Sequence, residues 1–148
     1  MPAKAITPHI YENMKFLRVA CAIIERDGKV LAAQRSDRMS LPLKWEFPGG
    51  KIKEGESAEE CLKRELMEEL GIAVMIHEAY PVATYSYPTF MVTLYPLRCT
   101  VASGEIVLHE HKAVAWMQPD ELQRLDWADA DWPIIDTYVK RCGKTTDT

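Results

Sequence analysis

The stretch GKIKEGESAEECLKRELMEELGI, residues 50–72, decides how the chain is read. Ser57-Ala58-Glu59-Glu60 has the form of a capping box. The Ser57 hydroxyl accepts from the amide of residue 60, and the Glu60 carboxylate reaches back to the amide of residue 57. Gly71 stands where a helix ends on a residue able to take positive φ. The spacing therefore predicts a helix beginning at Ser57 and stopped by Gly71. At 100° per residue, Ala58, Leu62, Leu66 and Leu70 form a core-facing stripe. Glu65, Glu68 and Glu69 fall within an arc of about 100° that overlaps the edge of that stripe.

A solvated helix does not spend its charges this way. Lys63 and Arg64 are poorly placed to neutralise all three carboxylates. Three half-buried carboxylates repel one another and resist ionising. A bound divalent cation removes the conflict, and oxygen-only ligands suit a hard ion, Mg²⁺ or Mn²⁺. Residues 50–72 hold seven acidic and four basic side chains, net −3, out of −4 for the whole chain. The negative charge is thus concentrated where the ion would sit. The plainer alternative is a surface helix laced by Glu59–Lys63 and Glu60–Arg64 pairs. It accounts for Glu59 and Glu60 but not for Glu65 and Glu69, which border the apolar face. Gly49-Gly50 precedes the helix, and glycines let backbone approach a metal or a phosphate closely.

Outward from this stretch, the pattern is mostly strand. Phe16–Glu25 is β-rich and apolar, Asp27-Gly28 makes a hairpin turn, and Lys29–Arg35 supplies the partner. Ser36–Lys44 is a polar loop, followed by the short extended piece Trp45-Glu46-Phe47. Two long β-type stretches lie between Ile72 and Val101, with a break near Tyr87-Pro88-Thr89. Ala113–Trp116 is a further strand, and Pro119–Leu122 a helical turn. A second helix runs roughly from Trp132 to Arg141, with Asp131 as N-cap and Pro133 in its first turn. Strands with two flanking helices give a mixed α/β class. The division expected is an arm at 1–15, in which Met14 offers an alternative start, one domain at 16–142, and a tail at 143–148.

The 148 residues are 47% hydrophobic and 27% charged, the composition of one ordinary globular domain. The longest apolar run, Val19–Ile24, is far short of a bilayer span. No charged-then-apolar secretory segment opens the chain. Collagen, coiled coil, disordered tail, membrane protein and knottin are excluded, and no basic face suits a nucleic acid polymer. Cys21, Cys61, Cys99 and Cys142 are spaced too widely for a CxxC metal pattern, and read as free thiols in a reducing cytoplasm.

Gly50, Glu56, Arg64-Glu65-Leu66, Glu68-Glu69, Gly71 and Ile72 fill every position of the pattern G-x5-E-x7-R-E-U-x-E-E-x-G-U, with U aliphatic. This resembles the Nudix box. A chance match is on the order of 10⁻⁹ per starting position, so the likeness is specific. It implies an α/β/α sandwich with a mixed sheet, and metal-dependent attack of water on a phosphoanhydride. By resemblance, Glu65, Glu68 and Glu69 bind Mg²⁺ (or Mn²⁺) with help from the Gly49 carbonyl. Glu56 and Arg64 brace loop and helix as an ion pair, with Glu56 also reaching metal through water. Which carboxylate serves as base stays open.

The likeness extends to MutT-type nucleoside triphosphate pyrophosphohydrolases. Trp45-Glu46-Phe47-Pro48-Gly49-Gly50-Lys51 looks like the stretch before their box, which places Lys51 with the substrate. Arg35 matches an arginine that contacts base and phosphate. Glu110 matches a loop glutamate that adds a metal ligand or the base. Asp131 falls where that branch has a base-reading asparagine. An ionised Asp only accepts, which suits an exocyclic amino group such as cytosine N4 or adenine N6. The run from Trp127 to Pro133 resembles the CTP pyrophosphohydrolase branch more than the 8-oxo-dGTP branch.

Each residue also has a plainer role. Asp131 caps a helix, reads a base, or does both. Arg35 ends a strand. Trp45 and Phe47 pack beneath the glycine loop. Tyr85 and Tyr87 share a strand face, and line a base pocket or fill the sheet. His109-Glu110-His111 alternates like a zinc site, but alternate strand residues face opposite ways, so a solvated loop is preferred. The reaction expected is hydrolysis of a (deoxy)nucleoside triphosphate, CTP or a modified dCTP, to the monophosphate and pyrophosphate. The alternatives are 8-oxo-dGTP, then ADP-ribose (for which Pro88, past the box, is a weak pointer), then a non-catalytic nucleotide-binding module. A monomer or weak homodimer, with no membrane partner, completes the reading.

Overall fold

The computed structural model describes residues 14–146, with side chains to residue 143. Eight strands form one mixed sheet: β1 (Lys15–Arg26), β2 (Lys29–Gln34), β3 (Trp45–Glu46), β4 (Gly49–Lys51), β5 (Ala73–Ala79), β6 (Ala83–Ser86), β7 (Phe90–Ser103) and β8 (Ala113–Met117). Helix α1 (Ala58–Leu70) covers one face, and helix α2 (Trp132–Thr146) covers the other. The sheet order is β3-β2-β1-β7-β5, with β4 on β1, β6 on β7 and β8 on β2. β1 and β7 pair in parallel from Lys15↔Phe90 to Glu25↔Thr100, and the other pairings are antiparallel.

β1 explains the two layers. Successive strand side chains point to opposite faces. Cys21 and Ile23 join Tyr80, Trp127, Ile134, Ile135 and Tyr138 beneath α2. Ala20, Ala22 and Ile24 join Leu62, Leu66, Leu70 and Ile72 beneath α1. A strand buried on both faces reads as a continuous apolar run, which is what Val19–Ile24 is.

Helix α1 forms as its sequence predicts. The Glu60 amide donates to Ser57 Oγ at 3.0 Å, and the Ser57 amide donates to Glu60 Oε1 at 2.9 Å. Gly71 closes the helix at φ 71°. The hairpin turn is also present: Asp27 and Gly28 take φ of 53° and 76°, and Arg26 pairs with Lys29. Three expectations shift. The segment after Ile72 is three strands rather than two, with a further break at Tyr80–Val82 ahead of β6. The expected arm is mostly outside the described residues, and its last residue, Lys15, already pairs with Phe90. The last helix continues past Arg141 to Thr146. No helix among the described residues is long and apolar enough to cross a membrane. All four cysteines are free, and Cys21, Cys61 and Cys99 are buried.

Candidate active site

The glycine pair lies between β1 and α1 and brings the helix carboxylates down onto the sheet. β4 pairs with β1 through Cys21↔Gly49 and Ala20↔Gly50. A Cβ on Gly49 would stand 1.9 Å from the Ala20 carbonyl oxygen, and one on Gly50 would stand 2.2 Å from Glu65 Cδ. Only glycine permits this approach of strand, loop and carboxylate. Cys61, on the buried side of α1, donates its thiol to the carbonyls of Gly50 and Lys51 at 3.4 and 3.3 Å, and burial pushes that thiol up to about 11. It fixes the loop from below as a protonated donor.

Arg64 organises the carboxylates. Its Nε and one terminal nitrogen hold both oxygens of Glu56 at 2.8 and 2.9 Å. Its other terminal nitrogen donates to Glu65 at 2.8 Å and to Glu68 at 3.3 Å. The paired guanidinium holds the Glu56 carboxyl down to about 2. The brace expected from the box is therefore present, and both Glu56 oxygens are used in it. Glu68 is largely exposed on the outer side of the network. Glu69 is buried, and its Oε1 has no hydrogen-bond partner. Burial, with Glu65 bonded beside it and Glu110 near, pushes the Glu69 carboxyl up to about 9. Two adjoining carboxyls share too little compensation to ionise together, which is the conflict read from the helix periodicity.

This observation tests the fit to a cation. Glu65 and Glu69 are hard oxygen donors, one oxygen is orphaned, and the backbone beside them has no room for a Cβ. A divalent ion fits such a donor set. The side chains do not form a ready-made cage: among the described residues, no three acidic, cysteine or histidine groups converge to hold an ion. Glu110 sits exposed in the loop before β8, near enough to act on Glu69 by its charge.

The second half of the site is built from β2, β3 and the turn before α2. Arg35 donates to Glu46 at 2.7 Å and to the Ser40 carbonyl at 2.6 Å. Asp131 is 6% exposed and accepts from the Phe47 amide at 2.9 Å. It lies in a 3-10 turn at Asp129–Asp131, and its carboxyl is bonded across the fold, so the expected N-cap is not the contact it makes. Burial, and then the Glu46 charge, push the Asp131 carboxyl up to about 8, against the Phe47 amide and Arg35. This shift favours the protonated carboxyl, which donates as well as accepts, over the accept-only aspartate expected from the sequence. Tyr85 bonds Asp129 at 3.3 Å and meets Tyr87 edge-on, while the Tyr87 hydroxyl accepts from the Ala130 amide at 3.0 Å. Phe47 is buried and packs on Trp127 at 4.9 Å. Lys51 is exposed at the end of β4 and makes no side-chain bond to another of the described residues.

Two site residues escaped the sequence reading. Glu46 was visible only as part of a motif, and His111 only as half of a zinc pattern. His109 is exposed and His111 buried, so they do not meet on a metal. Instead, His111 Nε2 lies 2.8 Å from Glu46 Oε2. The available signal was Glu46 itself, a charge between two aromatics on a strand.

A family model described as the NUDIX domain matches residues 14–138. The CTP pyrophosphohydrolase of Escherichia coli is 36% identical over 126 residues, 85% of this chain and 93% of that protein. The 8-oxo-dGTP diphosphatase of Haemophilus influenzae is 31% identical over 124 residues, 83% of this chain and 91% of its own. Among solved structures, the E. coli ORF135 protein superposes with a TM-score of 0.74 at 36% identity, covering 87% of this chain and 92% of that one.

Proposed function

The chain belongs to the NUDIX family, and on that premise we propose that it hydrolyses a nucleoside triphosphate to the monophosphate and pyrophosphate, with CTP or a modified dCTP as substrate. The observation that carries the reading is the Glu65–Glu69 pair above the glycine cradle, with its orphaned oxygen. Glu65 and Glu69, with the Gly49 carbonyl, would hold Mg²⁺ or Mn²⁺, and Glu68 and Glu110 would be the further carboxylate ligands. When bound, such an ion neutralises polyphosphate charge and lowers the pKa of water.

The chain's own residues supply the rest. Arg64 keeps Glu65 in place and, through Glu56, fixes the loop to the helix. One of the carboxylates takes the proton of the attacking water. Water bonds to one phosphorus of the α–β bridge as the bond from that phosphorus to the bridging oxygen breaks, so that monophosphate and pyrophosphate separate. Arg35 and Lys51 offer charge to the nucleotide, and Tyr85 and Asp131 line its base. A neutral Asp131 accepts from cytosine N4 and donates to N3, a two-point match. The resemblance to the E. coli enzyme supports cytosine. The relative from H. influenzae favours 8-oxo-dGTP as the second reading.

The test is kcat/KM with Mg²⁺ for CTP, dCTP, 5-methyl-dCTP, 8-oxo-dGTP, dGTP and ADP-ribose, with products identified. A cytosine preference giving CMP-type products and pyrophosphate is expected, and Asp131→Ala should reorder the ranking. Turnover of ADP-ribose alone would overturn the roles given to Arg35 and Asp131. Binding without turnover on any nucleotide would leave a non-catalytic module. Full activity in both Glu65→Gln and Glu69→Gln would remove the metal assignment.

A further inference from the structure

Two buried side-chain atoms have no hydrogen-bond partner among the described residues, Glu69 Oε1 and His111 Nδ1, and they face each other across 4.0 Å. The His111 side chain is 1% exposed. Its other nitrogen is committed to Glu46 Oε2 at 2.8 Å, while Glu46 Oε1 takes Arg35 at 2.7 Å. A carboxylate only accepts, so Nε2 carries a ring hydrogen, and Nδ1 is the nitrogen left facing Glu69. Buried polar atoms in native proteins nearly always find partners, and two orphans this close in one wall belong to the same arrangement. Hydrogen bonds of an active site are often long without substrate and tighten in the loaded complex.

We propose that His111 is a positioning residue for Glu69: anchored by Glu46, it holds the Glu69 carboxyl group through Nδ1 and so ties the Arg35 side of the site to the carboxylate helix. One water donating to both atoms closes the gap, and His111 thereby sets where the carboxyl group lies. Segment 46–47 is then a junction. Glu46 carries the link to Glu69, and the next amide, that of Phe47, carries Asp131.

The kinetic half of this inference rests on the proposed hydrolysis, and the spectroscopic half does not. In the enzyme with ¹⁵N-labelled histidine, wild type should show the Nε2–H tautomer of His111. Glu69→Gln should move the Nδ1 resonance, and Glu46→Gln should move Nε2. An Nδ1 resonance blind to Glu69→Gln overturns the proposal, whatever the kinetics. In turnover, His111→Ala should lower kcat roughly 10–100-fold, the usual cost of losing a partner that orients a ligand, with KM nearly constant. Asn places an amide where Nδ1 lies, and Gln places one where Nε2 lies. His111→Asn should therefore recover part of kcat and His111→Gln should not. Equal losses in both, with KM rising alongside, would mean a purely structural histidine and overturn the assignment. Absence of all nucleotide turnover in wild type would sink the proposed function and leave the resonance test to decide this one.

Discussion

Gly49 and Gly50 are neighbours, yet alanine at each should fail in a different way. At Gly49 the added carbon would stand 1.9 Å from the Ala20 carbonyl oxygen and 2.8 Å from Cys21 Cα. Both are backbone atoms of the central strand, fixed by pairing with β7, so the clash cannot be relieved by a rotamer change. Real Cβ contacts essentially never fall below 3.0 Å, so β4 must move by more than an ångström. Overpacking of this kind costs about 1–3 kcal/mol, and a backbone obstacle puts Gly49→Ala at the upper end. For a chain of this size each kcal/mol lowers Tm by about 2–4 °C, so a drop of about 6–12 °C is expected. At Gly50 the obstacle is the end of the Glu65 side chain, Cδ at 2.2 Å, which can swing away. Gly50→Ala should melt within about 3 °C of wild type, since a flexible side chain relieves the strain at little cost. Its Glu65 carboxylate would leave its place beside Arg64, so kcat and Mn²⁺ affinity should both fall. Calorimetric melts, with Mn²⁺ binding followed by water proton relaxation, separate the two. Wild-type melting of Gly49→Ala would refute the close-packing argument. Wild-type kcat in Gly50→Ala would refute the placement of Glu65.

Three further outcomes follow from the same geometry. Arg64→Lys keeps the charge but loses the fork that grips Glu56 and Glu65, so kcat should fall about 10–100-fold, and steady-state assays finding no loss would refute the brace. Asp131→Asn copies the neutral carboxyl, so its kcat/KM for CTP at pH 7 should stay within a few-fold of wild type. Above about pH 8 wild type should decline while the variant stays flat, and a collapse of the variant at pH 7 would overturn the protonated reading. Glu69 and Asp131 both titrate higher folded than unfolded, from ordinary values of 4.5 and 3.8 to about 9 and about 8. Their stabilising contribution is full below about pH 4 and is lost as pH rises to about 8–9, so metal-free protein should melt higher at pH 5 than at pH 8.5, and melts in EDTA showing the reverse would contradict this.

The half of the site carried by one helix was legible, because its information is local. A capping box, a glycine stop and a 3.6-residue period place Glu65 and Glu69 against the sheet without knowledge of any other element. The other half was hidden by topology. Asp131 meets Phe47 across 84 positions of sequence, and His111 meets Glu46 across 65. Both contacts depend on β3 lying beside β2 at the sheet edge and on Trp45 bridging Trp127. No periodicity within either segment encodes that. The upward push on the Asp131 carboxyl was hidden for the same reason, since it follows from burial beside Glu46. The break before β6 was missed because Pro81 alone is a weak signal, whereas Tyr87-Pro88-Thr89 is a strong one. Asp27-Gly28 succeeded because the turn type itself selects those residues.

The two raised carboxyls answer burial in different ways, and the difference is itself testable. Asp131 has a backbone amide on one oxygen and Arg35 within reach, but Glu46 beside it cancels the benefit of the arginine. A proton would resolve this, and under the proposed function it would give the carboxyl a donor for a base edge. Glu69 is pressed by Glu65, Glu110 and Glu46, all of one sign. A proton answers Glu69 alone, whereas a divalent cation answers several carboxyls together. Mg²⁺ should therefore pull the Glu69 titration far down and leave that of Asp131 nearly where it was. Carboxyl ¹³C shifts followed against pH, with and without Mg²⁺, separate the two groups by residue. An ion that lowered both equally would mean that the base-side and phosphate-side carboxyls form one electrostatic site, and the division of labour across segment 46–47 would fall.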